Sequence, residues 1–279
     1  MTPAEFRYLA RYLKRRSGLS LGADKMALAS SSLMPLARRR GHADVGALIR
    51  ELMSGRLGLG RAIVAAMGTH ETRFFRDEAV YEQFREAIFP VLLHARLAER
   101  RIRIWCAAAS TGQEPYSLAM IVEEFRSVLD GWTIDILGTD INVEVVERAR
   151  RGIYSDYEVR RGLPAQMLTR HFKADGGGWR LDDVIRNRVQ FGAFNLLDGF
   201  GDLGVFDLVL CRNVLLYFDM PTKKDVLKRF HGTVADDGYL VLGSAETILG
   251  CDAPFERRAD ADGIYAKVPV ARALGLARA

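Results

Sequence analysis

Hydrophobic side chains recur at helical spacing in the first part of the chain. Phe6, Leu9 and Leu13 lie three and four residues apart, as on the buried face of an amphipathic helix. Three further stretches have the same pattern: residues 24–39, 43–52 and 58–67. Because β-branched alternation is nearly absent here, we predict a small all-α domain over residues 1–68, followed by a second domain over residues 69–279.

From about residue 101 the pattern changes to strands that alternate with helices. Five β-rich runs are present, at residues 101–109, 133–140, 188–196, 205–213 and 239–246. Helices are predicted at residues 114–129, 143–149 and 221–234, and a turn at 260–263 separates two closing strands. Strand–helix alternation predicts an α/β fold with a doubly wound, mainly parallel sheet and right-handed crossovers.

Residues 153–187 interrupt this alternation. A helical piece at 164–172 is followed by KADGGGWRLDD, a glycine-rich turn with short strand candidates on both sides. We therefore predict that this segment is an inserted, small antiparallel β flap.

The charge is unevenly distributed along the 279 residues. Forty Lys and Arg against 35 Asp and Glu give a net charge of +5, but residues 1–68 hold twelve basic and four acidic residues, an excess of +8. The rest of the chain is therefore slightly acidic, at −3. A basic head of this kind predicts an anionic partner, although a solvated basic surface without a partner remains the alternative.

Other features of the composition exclude several classes of protein. Cys106, Cys211 and Cys251 are too few and too far apart for a disulfide framework or a zinc site. No apolar run approaches the roughly 18 residues of a membrane span, and the first residues lack the apolar core of a secretory signal. We expect a cytoplasmic protein with reduced thiols, no bound metal and no inserted membrane segment.

Polar residues stand where the predicted strands end, the edge at which open α/β sheets bind ligands. Gly112 follows the first strand, where a glycine suits either close approach to a ligand or a plain turn. Asp140 ends the second strand and could accept hydrogen bonds from ribose hydroxyls or cap the next helix. No G-x-G-x-x-G fingerprint is present, which argues against a nicotinamide dehydrogenase.

The next strands end in amide and guanidinium groups. Asn195 ends the third strand and Arg212-Asn213 the fourth, with Tyr217 shortly after. Side-chain amides suit an adenine edge or an amino-acid head group, but asparagine is also common in turns. Arg76, which precedes the sheet, could pair bidentately with a carboxylate.

Five segments of the chain, in this order, resemble one family: HETRFFRD, WCAAASTGQEPYSLAM, GTDINVEVVERARRGIY, FNLLD and FDLVLCRNVLLYF. Together they resemble the chemotaxis receptor methyltransferases (CheR), which use S-adenosyl-L-methionine to methylate glutamate side chains of chemoreceptors. The resemblance covers residues 69–267 and implies a class I methyltransferase fold with S-adenosyl-L-homocysteine as product. It also implies a monomer that acts on the acidic methylation helices in the cytoplasmic domain of receptors, and no nucleic-acid partner.

The resemblance also implies roles for individual residues. The implied cofactor-binding residues are His70, Thr72, Arg76, Glu114, Asp140, Asn195, Leu196, Arg212 and Asn213. Tyr217 and Arg96 match residues expected near the transferred methyl group. The chain departs from the family pattern at His70, where Asn is usual, and at Gln113, where Glu is usual. Its flap loop is also shorter than the loop with which the family binds a receptor tether peptide.

Two other functions remain open from the sequence. A nucleic-acid or small-molecule methyltransferase could use the basic head to hold phosphates, although the fourth strand ends in CRNV and not in an N-P-P-Y segment. A non-catalytic module that binds S-adenosylmethionine in a receptor array would keep the same binding residues.

Overall fold

The amphipathic N-terminal stretches form four helices: α1 (Pro3–Ser17), α2 (Met26–Arg39), α3 (Val45–Met53) and α4 (Leu59–Met67). This computed structural model describes residues 1–56, 58–69, 71–258 and 261–268. A capping box begins α1, because Thr2 accepts from the amide of Glu5 while the Glu5 carboxylate accepts from the amide of Thr2. The four helices share a hydrophobic core that includes Leu9, Leu33 and Leu48. The division of the chain into two domains at residue 68 stays a prediction.

Helices also fill the stretch before the sheet, for which the sequence analysis made no prediction. They are α5 (Glu78–Gln83), a π-helical turn over Phe84–Ile88, and α6 (Phe89–Ala95). The buried apolar side chains of this stretch, among them Phe84 and Phe89, belong to the same hydrophobic core as residues of the central strands.

The described residues that follow form ten strands: β1 (Arg101–Ala107), β2 (Thr133–Asp140), β3 (Ile153–Ser155), β4 (Phe172–Asp175), β5 (Gly178–Leu181), β6 (Val189–Ala193), β7 (Phe206–Cys211), β8 (Val234–Leu242), β9 (Phe255–Arg257) and β10 (Ile264–Lys267). Seven of them form one sheet in the order β6-β2-β1-β7-β8-β10-β9. The first five in this order are parallel, whereas β10 runs antiparallel to β8 and β9. The predicted α/β fold with a mainly parallel sheet is confirmed.

The remaining helices are α7 (Gln113–Glu124), α8 (Val143–Arg151), α9 (Asp156–Arg160), α10 (Ala165–His171), α11 (Asp183–Arg186) and α12 (Met220–Thr233). Every residue of β7 is buried, as expected for a central parallel strand covered on both faces. Ala107 at the end of β1 is in register with Thr139 of β2 and Cys211 of β7. The carboxyl ends of the three central strands therefore meet at one edge, which we call the carboxyl edge; the opposite edge is the amino edge.

The inserted segment forms the predicted antiparallel flap, a three-stranded sheet in the order β3-β5-β4. It packs on the segment that precedes the sheet, because the rings of Tyr154 and Phe172 lie edge-on to Phe74 with centroids 5.0 and 5.6 Å away. Tyr154 also donates its hydroxyl to the carbonyl of Thr111 at 2.8 Å. The flap therefore supports two loops of the carboxyl edge.

The N-terminal helices contact the carboxyl edge through the end of α1. Leu19 forms an antiparallel bridge with Phe218, and the amide of Ser20 donates to the carbonyl of Tyr217 at 2.9 Å. Gly18 has φ +78°, and a Cβ there would lie 2.8 Å from the Phe218 ring, so this close contact requires glycine. In the described part of the chain, no helix is long and apolar enough to cross a membrane.

Candidate cofactor cleft

A cleft lies at the carboxyl edge and has two halves of different chemistry. Residues common to both halves are Thr69, Ala108, Asp140, Asn213, Val214 and Tyr217. The polar half adds mostly charged and hydroxyl side chains: Glu71, Thr72, Arg73, Arg76, Ser110, Glu114 and Arg212. The apolar half lies against the N-terminal helices and adds Leu19, Val64, Met67, Phe194, Leu196 and Phe218.

The cleft brings together most of the residues that the sequence analysis proposed as a site. The polar half contains Thr72, Arg76, Glu114, Asp140, Arg212, Asn213 and Tyr217, and the apolar half contains Asn195 and Leu196. His70 lies outside the described residues. Arg96 is the one candidate that the structure locates elsewhere.

Asp140 is nearly buried at the end of β2, where it organises the neighbouring loops. Its Oδ2 accepts from the amide of Ser110, and its Oδ1 accepts from the amide of Asn142, both at 2.9 Å. Asn142 is the N-cap of α8, since its side chain accepts from the amide of Glu144. Asp140 therefore does not cap α8, and its carboxylate lies in the wall of the cleft.

The backbone around the cleft adopts the left-handed conformation at several residues other than glycine: Phe75, Asp77, Ala108, Ser110 and Asn213, with φ between +49° and +61°. Such conformations cost free energy for residues with a Cβ and tend to accumulate at functional sites. Two of these residues flank Arg76, and the other three follow β1 and β7. The strain therefore coincides with the loops that carry the candidate side chains.

Gly112 has a structural role. It is the residue before α7 with φ +93°, and a Cβ there would lie 3.0 Å from Ala149 and 3.1 Å from the ring of Phe191. It lines neither half of the cleft. Of the two readings left open by the sequence, the structure supports the turn glycine.

Arg212 is a buried cation between two carboxylates beneath the polar half. Its Nη1 donates to Glu114 at 2.9 Å and its Nη2 to Asp77 at 2.6 Å, while its side chain is 2% exposed. Burial acts to lower the pKa of Arg212, but the nearby Glu114 carboxylate keeps it above its ordinary value. Burial also raises the pKa of Glu114 above its ordinary value, although Arg212 opposes that shift.

Arg212 also holds the segment that carries Arg76, because its Nη2 donates to the carbonyl of Arg76 at 2.7 Å. The Arg76 guanidinium donates to the carbonyl of Glu71 at 2.9 Å and lines the polar half. Among the described residues, no carboxylate lies within ion-pair distance of Arg76. A ligand carboxylate is therefore a suitable partner for it.

Asn195 and Leu196 form part of the apolar half below the N-terminal helices. Asn195 donates from Nδ2 to the carbonyl of Arg16 at 2.8 Å and accepts at Oδ1 from the amide of Leu197 at 3.1 Å. The second bond is the asparagine turn that the sequence left open as an alternative. The first shows that α1 contacts a candidate ligand residue directly.

Arg96 requires a correction, since it lies at the amino edge. Its Nε donates to Asp207 at 2.7 Å and its Nη1 to Asp237 at 2.8 Å. Asp207 is at the start of β7, a strand's length from Arg212. Because its guanidinium pairs with two carboxylates at the opposite edge of the sheet, Arg96 does not face the cleft and does not lie where a methyl group would be transferred.

Glu246 lines neither half of the cleft but supports its wall, and the sequence analysis missed it. Its carboxylate is buried and accepts from the backbone amides of Asn213 and Val214 at 2.8 and 2.9 Å. The signal in the sequence was an acidic residue at the end of the strand predicted over residues 239–246. That signal carries little weight alone, because acidic residues are common in loops.

The two halves fit the two ends of S-adenosylmethionine. A zwitterionic amino-acid group suits the polar half, where Arg76 is available for its carboxylate, and a nucleoside suits the half that combines Asp140 with apolar side chains. A parallel sheet of this order with such a cleft at its carboxyl edge defines a Rossmann-like methyltransferase.

Comparisons with known proteins identify the family. Residues 70–262 match the family described as "CheR methyltransferase, SAM binding domain". Chemotaxis protein methyltransferase 1 of Pseudomonas aeruginosa is 40% identical over 249 residues, which is 88% of this chain and 90% of that protein. The chemotaxis protein methyltransferase of Escherichia coli is 33% identical over 265 residues, covering 92% and 89% of the two chains. The chain belongs to the CheR methyltransferase family and is an S-adenosylmethionine-dependent methyltransferase of chemotaxis.

Solved structures of more distant proteins are also similar. One is magnesium protoporphyrin IX methyltransferase from Synechocystis with bound S-adenosylmethionine, with a TM-score of 0.35 and 16% identity, covering 72% of this chain and 83% of that one.

Proposed function

We propose that the protein is a protein-glutamate O-methyltransferase that converts glutamate side chains of chemoreceptors into methyl esters. The observation that carries the proposal is the cleft itself, in which Arg76 and Asp140 stand among the polar groups next to an apolar half. The names of the relatives, chemotaxis protein methyltransferases, support the choice of a chemotaxis protein as substrate.

The residues of the cleft have separate tasks in holding the cofactor. Arg76 binds the methionine carboxylate, Asp140 accepts from the ribose hydroxyls, and Asn195 with Leu196 lies on the adenine side. Thr72, Glu114 and Asn213 complete the polar wall, and Arg212 holds Glu114 in position. His70 is assigned to cofactor binding from the family resemblance alone. When bound, the cofactor supplies a methyl group on a positively charged sulfur.

The acceptor needs orientation and a dry site, and it needs no general base. A glutamate carboxylate is already ionised at neutral pH, because its ordinary pKa is about 4.3. The main contributions of the chain are therefore to orient the carboxylate and to exclude water from the cleft. Tyr217 lines both halves, and its hydroxyl can donate to the incoming carboxylate.

The basic N-terminal helices are the surface that meets the receptor, whose acidic methylation helices in the cytoplasm carry the acceptor glutamates. Arg7, Arg11, Lys14 and Arg15 follow helical spacing along one face of α1, and all four are exposed. This face adjoins the cleft, because Lys14 pairs with Asp219 at 2.5 Å and the carbonyl of Arg16 accepts from Asn195. Arg38 and Arg39 form a second exposed basic cluster at the end of α2.

Transfer of labelled methyl to receptor-containing membranes tests the proposed reaction. We expect label on the receptor that mild base releases as volatile methanol, because carboxyl methyl esters hydrolyse under conditions that leave N-methyl groups intact. Base-stable label, or label on nucleic acid or a small molecule, would contradict the proposal. Cofactor binding without any transfer would support the alternative of a non-catalytic module.

Paired charge reversals test the receptor surface. Arg11→Glu with Arg15→Glu and Arg38→Glu with Arg39→Glu change the net charge equally, and Arg40 is left in place because it pairs with Glu51. We expect the α1 pair to lower receptor methylation more than the α2 pair at low salt, with the difference shrinking at high salt. Equal rates for both variants and the parent at every salt concentration would contradict a role of α1 in recognition.

A further inference from the structure

The loop that follows β7 forms the wall common to both halves of the cleft. Asn213, Val214 and Tyr217 all line both halves. The backbone of the loop is irregular, with Asn213 at φ +60° and a short 3-10 helix over Leu215–Tyr217. Amide groups in such a loop have no partners from a regular helix or strand, so they need acceptors from elsewhere.

Glu246 supplies those acceptors. Its Oε2 accepts from the amide of Asn213 at 2.8 Å, and its Oε1 accepts from the amides of Val214 at 2.9 Å and Leu216 at 3.2 Å. Its Oε2 also accepts from the amide of Gly243 at 2.8 Å, and the residue is 7% exposed. One buried carboxylate thus joins the loop after β7 to the residues after β8.

Gly243 leaves the space that this arrangement requires. A Cβ at Gly243 would lie 2.7 Å from Nδ2 of Asn213 and 2.9 Å from Oε2 of Glu246. Contacts that short force neighbouring atoms to move. The atoms that would have to move belong to the side chain of Asn213 and to the carboxylate of Glu246. Gly243, Glu246 and Asn213 therefore form one packed unit.

We propose that Glu246 is a positioning residue for methyl transfer, which holds Asn213 and Tyr217 where they meet the cofactor and the acceptor. The proposal rests on the assignment of the cleft to S-adenosylmethionine made under the proposed function. It requires a carboxylate, because a glutamine has one oxygen and its NH₂ group would face two of the backbone N–H donors. Two buried backbone N–H groups without acceptors would favour a different conformation of the loop.

The test compares Glu246→Gln with Asp207→Asn, two buried carboxylates that accept backbone amides. Asp207 accepts from the amide of Arg103 at 2.7 Å, but it stands at the amino end of β7. We expect Glu246→Gln to weaken S-adenosylhomocysteine binding at least about tenfold in calorimetry, which corresponds to about 1.4 kcal/mol. It should also speed amide hydrogen exchange in residues 213–217 and lower the methylation rate at saturating cofactor, whereas Asp207→Asn should change none of the three.

Gly243→Ala provides a second variant that approaches the same unit from β8 and retains the carboxylate. We expect weaker S-adenosylhomocysteine binding and faster amide hydrogen exchange in residues 213–217, as for Glu246→Gln. If Glu246→Gln does not fold, Gly243→Ala alone tests the proposal. Parent protein that binds no S-adenosylhomocysteine would overturn the cleft assignment on which the proposal rests. Parent protein that binds it, with folded Glu246 or Gly243 variants matching Asp207→Asn in affinity and exchange, would overturn the role of Glu246 alone.

Discussion

The two edges of the parallel sheet contain the same motif with different consequences. At the carboxyl edge, Arg212 is held between Glu114 and Asp77; at the amino edge, Arg96 is held between Asp207 and Asp237. Left-handed residues and a cleft surround the first arginine, whereas the second joins the end of α6 to the sheet. An arginine held between two carboxylates is therefore not in itself a sign of a site, and its position relative to strand direction decides what it does.

Replacing each arginine by methionine should separate the two roles and give the largest effects. Removing one partner of a buried ion pair costs about 3–5 kcal/mol of stability. We expect Arg212→Met to approach that range, because Glu114 stays buried, and Arg96→Met to cost less, because Asp237 is half exposed. Urea unfolding measures both.

Cofactor affinity provides the sharper comparison between the edges. Folded Arg96→Met should bind S-adenosylhomocysteine like the parent, whereas Arg212→Met should bind it poorly. If Arg212→Met does not fold, Arg212→Lys takes its place in the comparison. Equal losses of affinity in the Arg96 and Arg212 variants would contradict separate roles for the two arginines.

Arg76→Lys tests the carboxyl edge without a change of charge. Lysine cannot form the bidentate pair with a carboxylate, so we expect a loss of about 1.5–3 kcal/mol in cofactor binding, the usual contribution of hydrogen bonds to charged groups. Arg101→Lys is the matched control, since Arg101 pairs with Asp135 near the amino edge. Near-normal affinity of Arg76→Lys in calorimetry would make Arg76 a structural residue.

Asp140→Ala should weaken cofactor binding by about 1–3 kcal/mol, because buried ribose hydroxyls would lose their acceptor. Part of this loss comes from the loops, since Asp140 also accepts from the amides of Ser110 and Asn142. Asp135→Asn, on the same strand but near the amino edge, controls for general effects on β2. Unchanged affinity of Asp140→Ala would remove Asp140 from the site.

The sequence predicted the carboxyl edge better than the amino edge, for a physical reason. Parallel strands bring their ends together, so the strand pattern indicated that Asp140 and Arg212 lie at the same edge of the sheet once the strands were recognised. Arg96 had no such pattern, because its partners Asp207 and Asp237 lie 111 and 141 residues away. The role of Arg96 near the methyl group was inferred from the family resemblance. In the structure its guanidinium instead pairs with Asp207 and Asp237 at the amino edge.

The loops of the cleft show a second limit of sequence analysis. The family segments indicated Asn213 and Tyr217, but the four amides that Glu246 accepts could not be inferred, because they depend on the conformation of a loop after a different strand. The helices over residues 78–95 were also missed, although their buried residues Tyr81, Phe84, Ile88 and Leu92 follow helical spacing and could have indicated them. The antiparallel flap was predictable because glycine-rich turns mark hairpins.

The smallest expected effect concerns the ion pair that links α1 to the carboxyl edge. Hydrogen bonds from Lys14 and Thr222 lower the pKa of Asp219 from its ordinary value of 3.8 to about 2. A carboxylate with a lowered pKa in the folded state contributes stability above its ordinary pKa and loses it as the pH falls towards the folded-state value. Asp219→Asn removes the charge but keeps the cap of α12, because asparagine is an equally good N-cap.

We expect the Asp219→Asn variant to be less stable than the parent by under about 1 kcal/mol at pH 7, as for other partly exposed pairs. Urea unfolding between pH 7 and pH 3 should show this difference constant down to about pH 4 and shrinking below it, because the Asp219 carboxyl of the unfolded parent becomes protonated while that of the folded parent stays ionised. A difference that persists unchanged at pH 3 would mean that Asp219 acts through the helix cap and not through its charge. The contacts that join α1 to the carboxyl edge would then be the Leu19–Phe218 bridge and the hydrogen bond from Asn195 to Arg16.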